Sequence, residues 1–164
     1  MARRTAASIA LGFLAMVSGD AHAQGVVMQR NVSLAMARAI AEATIAECKS
    51  KGFNTSAAVV DRAGQVLVIL RDEGASAQTV EMSRRKAYTA RMYRTSTLEF
   101  QKRTAADPTL LPQRDVSDIL ALGGGLPILV GNEVIGGVGS SGSSQTQDDA
   151  CAQAGLAKVA DHLK

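Results

Sequence analysis

An α+β fold with five strands is predicted by the order in which the sequence patterns occur. Helical periodicity, β-branched runs and glycine-bearing turns follow one another as helix, hairpin, helix, three strands, helix. The turns Arg62-Ala63-Gly64 and Gly131-Asn132-Glu133 are of hairpin length, and nowhere does strand, helix, parallel strand repeat. Aromatic residues make up 3% of the chain and Trp is absent, so a core drawn from the 46% of apolar residues is built mainly of Ala, Val, Ile and Leu.

Ser33 is placed to cap a first helix running to about Lys51. Its stripe holds Leu34, Ala37, Ile40, Ala41, Thr44, Ile45 and Cys48, and Gly52 stops it. Residues 56–61 (SAAVVD) and 65–72 (QVLVILRD) are two strands of a hairpin. Residues 76–93 return to helical spacing, with Val80, Ser83, Ala87, Ala90 and Arg91 inward, and a shorter helix follows at 95–103. Asp107-Pro108 and Leu111-Pro112 make 104–115 a loop. Residues 117–125, 126–131 and 133–142 are expected as three strands, and a last helix begins after a Ser143 or Ser144 cap with Asp148 and Asp149 in its first turns.

Residues 1–23 have the order of a secretory signal peptide. Arg3 and Arg4 precede an apolar run from Ala6 to Val17, and Ala21-His22-Ala23 precedes Gln24. The run is too short to span a bilayer, the residues after the arginines fit a twin-Arg signal poorly, and no cysteine marks a lipid anchor. Residues 24–164 are then one domain, periplasmic or secreted, with no membrane anchor after cleavage. Loss of Arg3, Arg4 and Asp20 lowers the formal charge from +3 to +2, too little to point to nucleic acid.

Gly137, Gly139 and Gly142 spell G-x-G-x-x-G between an apolar run and a helix. A dinucleotide site needs a further strand after that helix, but here the helix ends the sequence, and Asp148 and Asp149 would repel a pyrophosphate at its start. The structural alternative is that the glycines let a strand pass close beneath a helix or a neighbouring chain.

Five segments together resemble the GlcG/HbpS-like family, also called the haem-degrading family. They are Val59-Val60-Asp61-x-x-Gly64, Arg71-x-x-Gly74-Ala75, Lys86-Ala87-x-Thr89-Ala90, Gly123-Gly124-Gly125-x-Pro127, and Ile135-Gly136-x-x-Gly139-x-Ser141-Gly142 followed by acids. They occur in the family's order, and the likeness runs from about Ser33 to Lys164. It implies a profilin-like three-layer α/β/α fold around a five-stranded antiparallel sheet, a homo-oligomer, and haem or a related tetrapyrrole as ligand. Gly124, Gly137, Gly139 and Gly142 are the expected structural glycines. The resemblance also sets the terminal helices side by side, which makes a Cys48–Cys151 disulfide one expectation and two buried free thiols the other.

Chemistry is constrained by what remains after cleavage. His162 is then the one histidine, which excludes a central Ser-His-Asp triad and a multi-histidine metal site, so no metal site is expected. It reads either as a helix C-terminal cation or as a ligand. Arg84, Arg85, Lys86, Arg91, Arg94, Lys102 and Arg103 are opposed within that segment by Glu81 and Glu99 alone. Such a run is either a solvated face or a rim for carboxylates such as haem propionates. Arg71, Lys86, Tyr88, Thr89 and Arg91 are the candidate ligand-binding residues, with Arg71 and Lys86 expected to face one cleft. Tyr88, Tyr93, His162, the methionines 28, 36, 82 and 92, the cysteines and the Thr89 hydroxyl are the available axial donors for iron.

The expected function is an exported ligand-binding protein that takes haem or another anionic tetrapyrrole for sequestration, sensing or slow degradation. The alternatives are an enzyme or accessory acting on a small hydroxy or oxo acid, and a structural oligomer without ligand. No catalytic residue is assigned.

Overall fold

The structure, a computed structural model, describes residues 25–164; the signal peptide expected over 1–23 lies outside the described residues. Helix α1 (Leu34–Ser50) leads into strands β1 (Ser56–Val60) and β2 (Val66–Arg71). Helices α2 (Gln78–Tyr93) and α3 (Thr97–Ala106) follow, then a 3-10 segment at Pro108–Arg114. Strands β3 (Gly125–Val130) and β4 (Glu133–Ser141), helix α4 (Gln145–Ala157) and a 3-10 turn at Ala160–His162 complete the chain. Ser33 caps α1 by accepting from Met36 N at 3.2 Å, and Ser144 caps α4 by accepting from Gln147 N at 3.2 Å.

The sheet has four strands in the order β2-β1-β4-β3, every neighbouring pair antiparallel. The fold class expected from the sequence is therefore right in kind and wrong in strand number. Residues 117–124 are not a strand, because three of their backbone N–H groups donate to side chains instead of a ladder. Leu120 N donates to Thr89 Oγ1, Gly123 N to Gln145 Oε1 and Gly124 N to Asp149 Oδ1. Positive φ at Asp118 and Gly124 breaks the extended path at both ends. Cations of α2 hold the loop from below: Arg84 donates to Asp118 Oδ1 at 2.6 Å and Arg85 to the Ile119 carbonyl. Those two arginines of the cation run are thus engaged in holding a loop.

Strand β1 is buried along its whole length, so its alternating side chains meet a helix on each face. Ala57 and Val59 pack with Ala37, Ile40 and Ala41 of α1 and Ala152 of α4. Ala58 and Val60 pack with Ala87 of α2. Helix α2 lies almost at backbone contact with β4: a Cβ at Gly137 would collide with the Ala87 carbonyl, and one at Gly139 with the Ser83 carbonyl. That surface of Gly137 and Gly139 is covered by a helix of the same chain, which removes it as a contact for a second subunit.

On the other face α4 runs antiparallel to α1. Gly155 meets Thr44 and Ile40, and one turn earlier Cys151 is bonded to Cys48 with Cα atoms 5.5 Å apart. Both cysteines are fully buried.

Candidate functional site

Inward spacing on α2 brings Ser83, Lys86, Ala87 and Ala90 toward the sheet, and one of them is charged. Lys86 Nζ donates to Asp148 Oδ2 at 2.8 Å and to the Ser140 carbonyl at 2.9 Å, with both side chains of the ion pair 2% exposed. Asp148 comes from the first turn of α4, and its second oxygen accepts from Ser143 N at 3.1 Å and Ser143 Oγ at 2.7 Å. Room for the pair is made by Gly124, where a Cβ would stand 2.6 Å from Asp148 Cβ and 3.0 Å from Lys86 Nζ. The positive φ of 112° at Gly124 suits glycine for the same reason.

Burial pulls the Lys86 ammonium below the ordinary lysine value, and the charge and hydrogen bond of Asp148 oppose it. Burial likewise pushes the Asp149 carboxyl up, against the hydrogen bond from Gly124 N and the charge of Lys86. Above the pair opens a cleft of about 310 Å³, near the lower end of ligand pockets. Its polar lining includes Ser76, Thr79, Ser141, Ser143 and Gln145, with Met82 and Leu122 as apolar members. Lys86 uses two of its three donors on protein oxygens, which leaves one for a ligand or water.

The other predicted ligand-binding residues do not join Lys86 in one rim. Arg71 ends β2 at the sheet edge and donates to the Ala75 carbonyl at 2.6 Å; it is not part of the Lys86 cleft lining. The Thr89 hydroxyl is occupied, donating to the Arg85 carbonyl and accepting from Leu120 N, both at 2.8 Å. Tyr88 packs with Met92 over Gly64 in the β1–β2 turn. Arg91 lines a separate cleft beside that turn.

Asp148 stands in the first turn of α4, as expected from the sequence, but its pairing with Lys86 is the feature not anticipated there. Its signal was present: positions 148, 151, 152 and 155 form the buried stripe of α4. An acid on such a stripe requires a buried cation, and Lys86 on the inner face of α2 is the match.

The profile of the family described as haem degrading protein HbpS-like spans residues 32–157. The chain belongs to the HbpS-like family. Among solved structures, the crystal structure of HbpS matches with a TM-score of 0.78 and 34% identity, covering 84% of this chain and 96% of that one. The PduOC:heme complex matches with a TM-score of 0.70 and 26% identity, covering 77% and 94%. An uncharacterized 15.0 kDa protein from the dhaT-dhaS intergenic region of Citrobacter freundii is 32% identical over 127 residues, 76% of this chain and 89% of that protein.

For an HbpS-like chain the residues can be tested against haem, which takes an axial donor for iron and cations for its propionates. Cys48 and Cys151 are bonded to each other, and Tyr93 OH donates to the Gln113 carbonyl at 3.2 Å. Met82 is the soft donor in the Lys86 cleft. A better set lies where α1 begins and the chain ends. There a cleft of about 420 Å³ is lined by Met36, His162 and Lys158, with apolar walls from Ala35, Ala39 and Val159. An imidazole, a thioether and an ammonium on an apolar background fit haem by donor chemistry.

Proposed function

We propose that this HbpS-like protein binds haem or a related anionic tetrapyrrole in the cleft between the start of α1 and the chain's end. The observation that carries this reading is the presence of His162, Met36 and Lys158 around one apolar-walled cleft. Support also comes from the family's haem-degrading description and from the haem complex of PduOC. His162 and Met36 would hold the iron, and Lys158 would meet a propionate; bound haem supplies redox and oxygen chemistry at its iron. Sequestration, sensing and slow degradation all begin from such a complex. A titration with haemin tests the reading: a shifted Soret band is expected in the wild type and a different spectrum in H162A and M36A. No Soret shift in the wild type overturns haem as ligand, and unchanged spectra in both variants overturn the cleft.

Export to an oxidising compartment belongs to the same proposal and is supported by the buried Cys48–Cys151 bond, since such bonds persist there. Homo-oligomerisation is proposed with it, supported by the exposed alanine-lined groove between α1 and α4 (Ala39, Ala43, Ala46 and Ala154). Light scattering of the mature chain tests it.

A second reading is favoured by the hydroxyl-rich Lys86 cleft, whose size and polarity suit a small hydroxy or oxo acid. Mass spectrometry of co-purified ligands separates the two.

A further inference from the structure

The cleft beside the C-terminal half of α2 holds cations whose local counter-charges are already engaged. It measures about 280 Å³ and is lined by Gln29, Asn31, Arg62, Ala63 and Arg91. The β1–β2 turn packs on Tyr88 and Met92 at Gly64, which brings Arg62 of the turn and Arg91 of the helix to the same opening. Arg91 Nε is buried and has no hydrogen-bond partner among the described residues.

Of the carboxylates of this region, Asp61 closes the turn through one oxygen and Glu133 pairs with Arg62 itself, which leaves Arg91 as the cation without an ion-pair partner among the described residues. Asp61 Oδ1 accepts from Ala63 N at 2.8 Å and Gln65 N at 2.9 Å, closing the turn. Glu133 pairs with Arg62 and, at 3.9 Å, with Arg30. Burial, then the like charges of Arg62 and Arg94, hold Arg91 below the ordinary guanidinium value, with Asp61 pulling weakly the other way. Asn31 Oδ1 accepts from Val32 N and Arg62 N, both at 2.9 Å, so the amide nitrogen of Asn31 remains a donor. A buried donor without an acceptor costs free energy that an oxyanion can relieve, and a guanidinium offers carboxylate or phosphate two parallel N–H groups.

We propose that this cleft is an oxyanion site in which a carboxylate or phosphate group bridges Arg91 and Arg62 beside Asn31. The ligand class is a small molecule carrying such a group, either free in solution or as the acidic arm of a larger molecule. The site shares no lining residue with the Lys86 cleft or the Met36–His162 cleft, and the inference does not rest on the haem reading.

The test is a titration of the mature chain, at constant ionic strength set by chloride, with inorganic phosphate and separately with succinate. The Arg91 Nε–H resonance and the binding isotherm are the readouts. The expected result is a saturable shift of that resonance by at least one of the two probes, with binding about tenfold or more weaker in R91M. R91K, which keeps the charge and loses the fork, is expected to fall between. H162A is expected to bind the anions like the wild type, whatever its behaviour with haemin. A haemin titration in parallel distinguishes an acidic arm from a free anion: haemin displacing the probe in the wild type but not in R91M assigns the arm. An unmoved Arg91 resonance with both probes in the wild type overturns the site, as does equal anion affinity in folded R91M and R91K.

Discussion

Lys86 Nζ and Asp148 Oδ2 stand 2.8 Å apart beneath the β4–α4 connection, each side chain 2% exposed. The pair joins the middle of α2 to the first turn of α4 across the end of the sheet, so two helices on opposite faces are tied by one charge contact.

Removing one partner strands a buried charge. K86M or D148L is expected to lower unfolding free energy by about 3–5 kcal/mol, while K86M/D148L together costs much less than the sum. Urea denaturation of the three variants checks this, and additive losses would mean that the pair is not energetically coupled.

At Gly139 the carbonyl of Ser83 occupies the space a side chain would need. G139A forces α2 off the sheet and is expected to destabilise by about 1–3 kcal/mol or more. G131A, in an open turn where no atom lies within 4 Å but φ is +58°, is expected to cost less. Thermal unfolding of both variants gives the ranking.

The Cys48–Cys151 bond closes a loop with a sequence separation of 103 residues, for which the chain-entropy model gives roughly 4–5 kcal/mol. Titration of the denatured, unreduced protein is expected to find no free thiol. The C48A/C151A protein is expected to unfold at lower urea with a lower midpoint.

Asp72 ties the end of β2 to Lys49 of α1 at 2.8 Å and also accepts from Gly74 N at 3.2 Å. The Lys49 hydrogen bond, then that of Gly74, holds the Asp72 carboxyl below its ordinary value of 3.8. Its contribution is therefore present above pH 3.8 and lost as pH falls through the lower folded value. Lys49 is raised above 10.5 by the same contact, so its share is lost only as pH rises through that higher value. D72N is expected to flatten both limbs of the stability curve, more visibly at low salt. Parallel curves for D72N and the wild type would remove Asp72 as their cause.

Local patterns revealed the helices because each has a buried stripe and most have a capping hydroxyl, as at Ser33 and Ser144. Strands β1, β2, β3 and β4 were visible as β-branched runs between turns. The segment 117–124 misled because Ile119 and Leu120 resemble strand residues, whereas what decides its path is a set of distant acceptors on Thr89, Gln145 and Asp149. The site was half legible: Lys86 stood out by charge, but its partner lies 62 positions away and only the folded chain joins them. The scatter of Arg71, Tyr88, Thr89 and Arg91 has the same origin, since proximity along a helix says little about which opening a side chain reaches.

The bond between the first helix and the last also sets how the protein bears a load. A force applied to its two ends passes from α1 through the sulfur bridge into α4 and bypasses the sheet. An oxidised molecule can release only the segments outside the bridge, and reduction under tension adds roughly 350 Å of chain from the 103-residue span. Pulled from its ends, the oxidised molecule would keep all four strands and the Lys86 cleft mechanically silent until the bridge is cut.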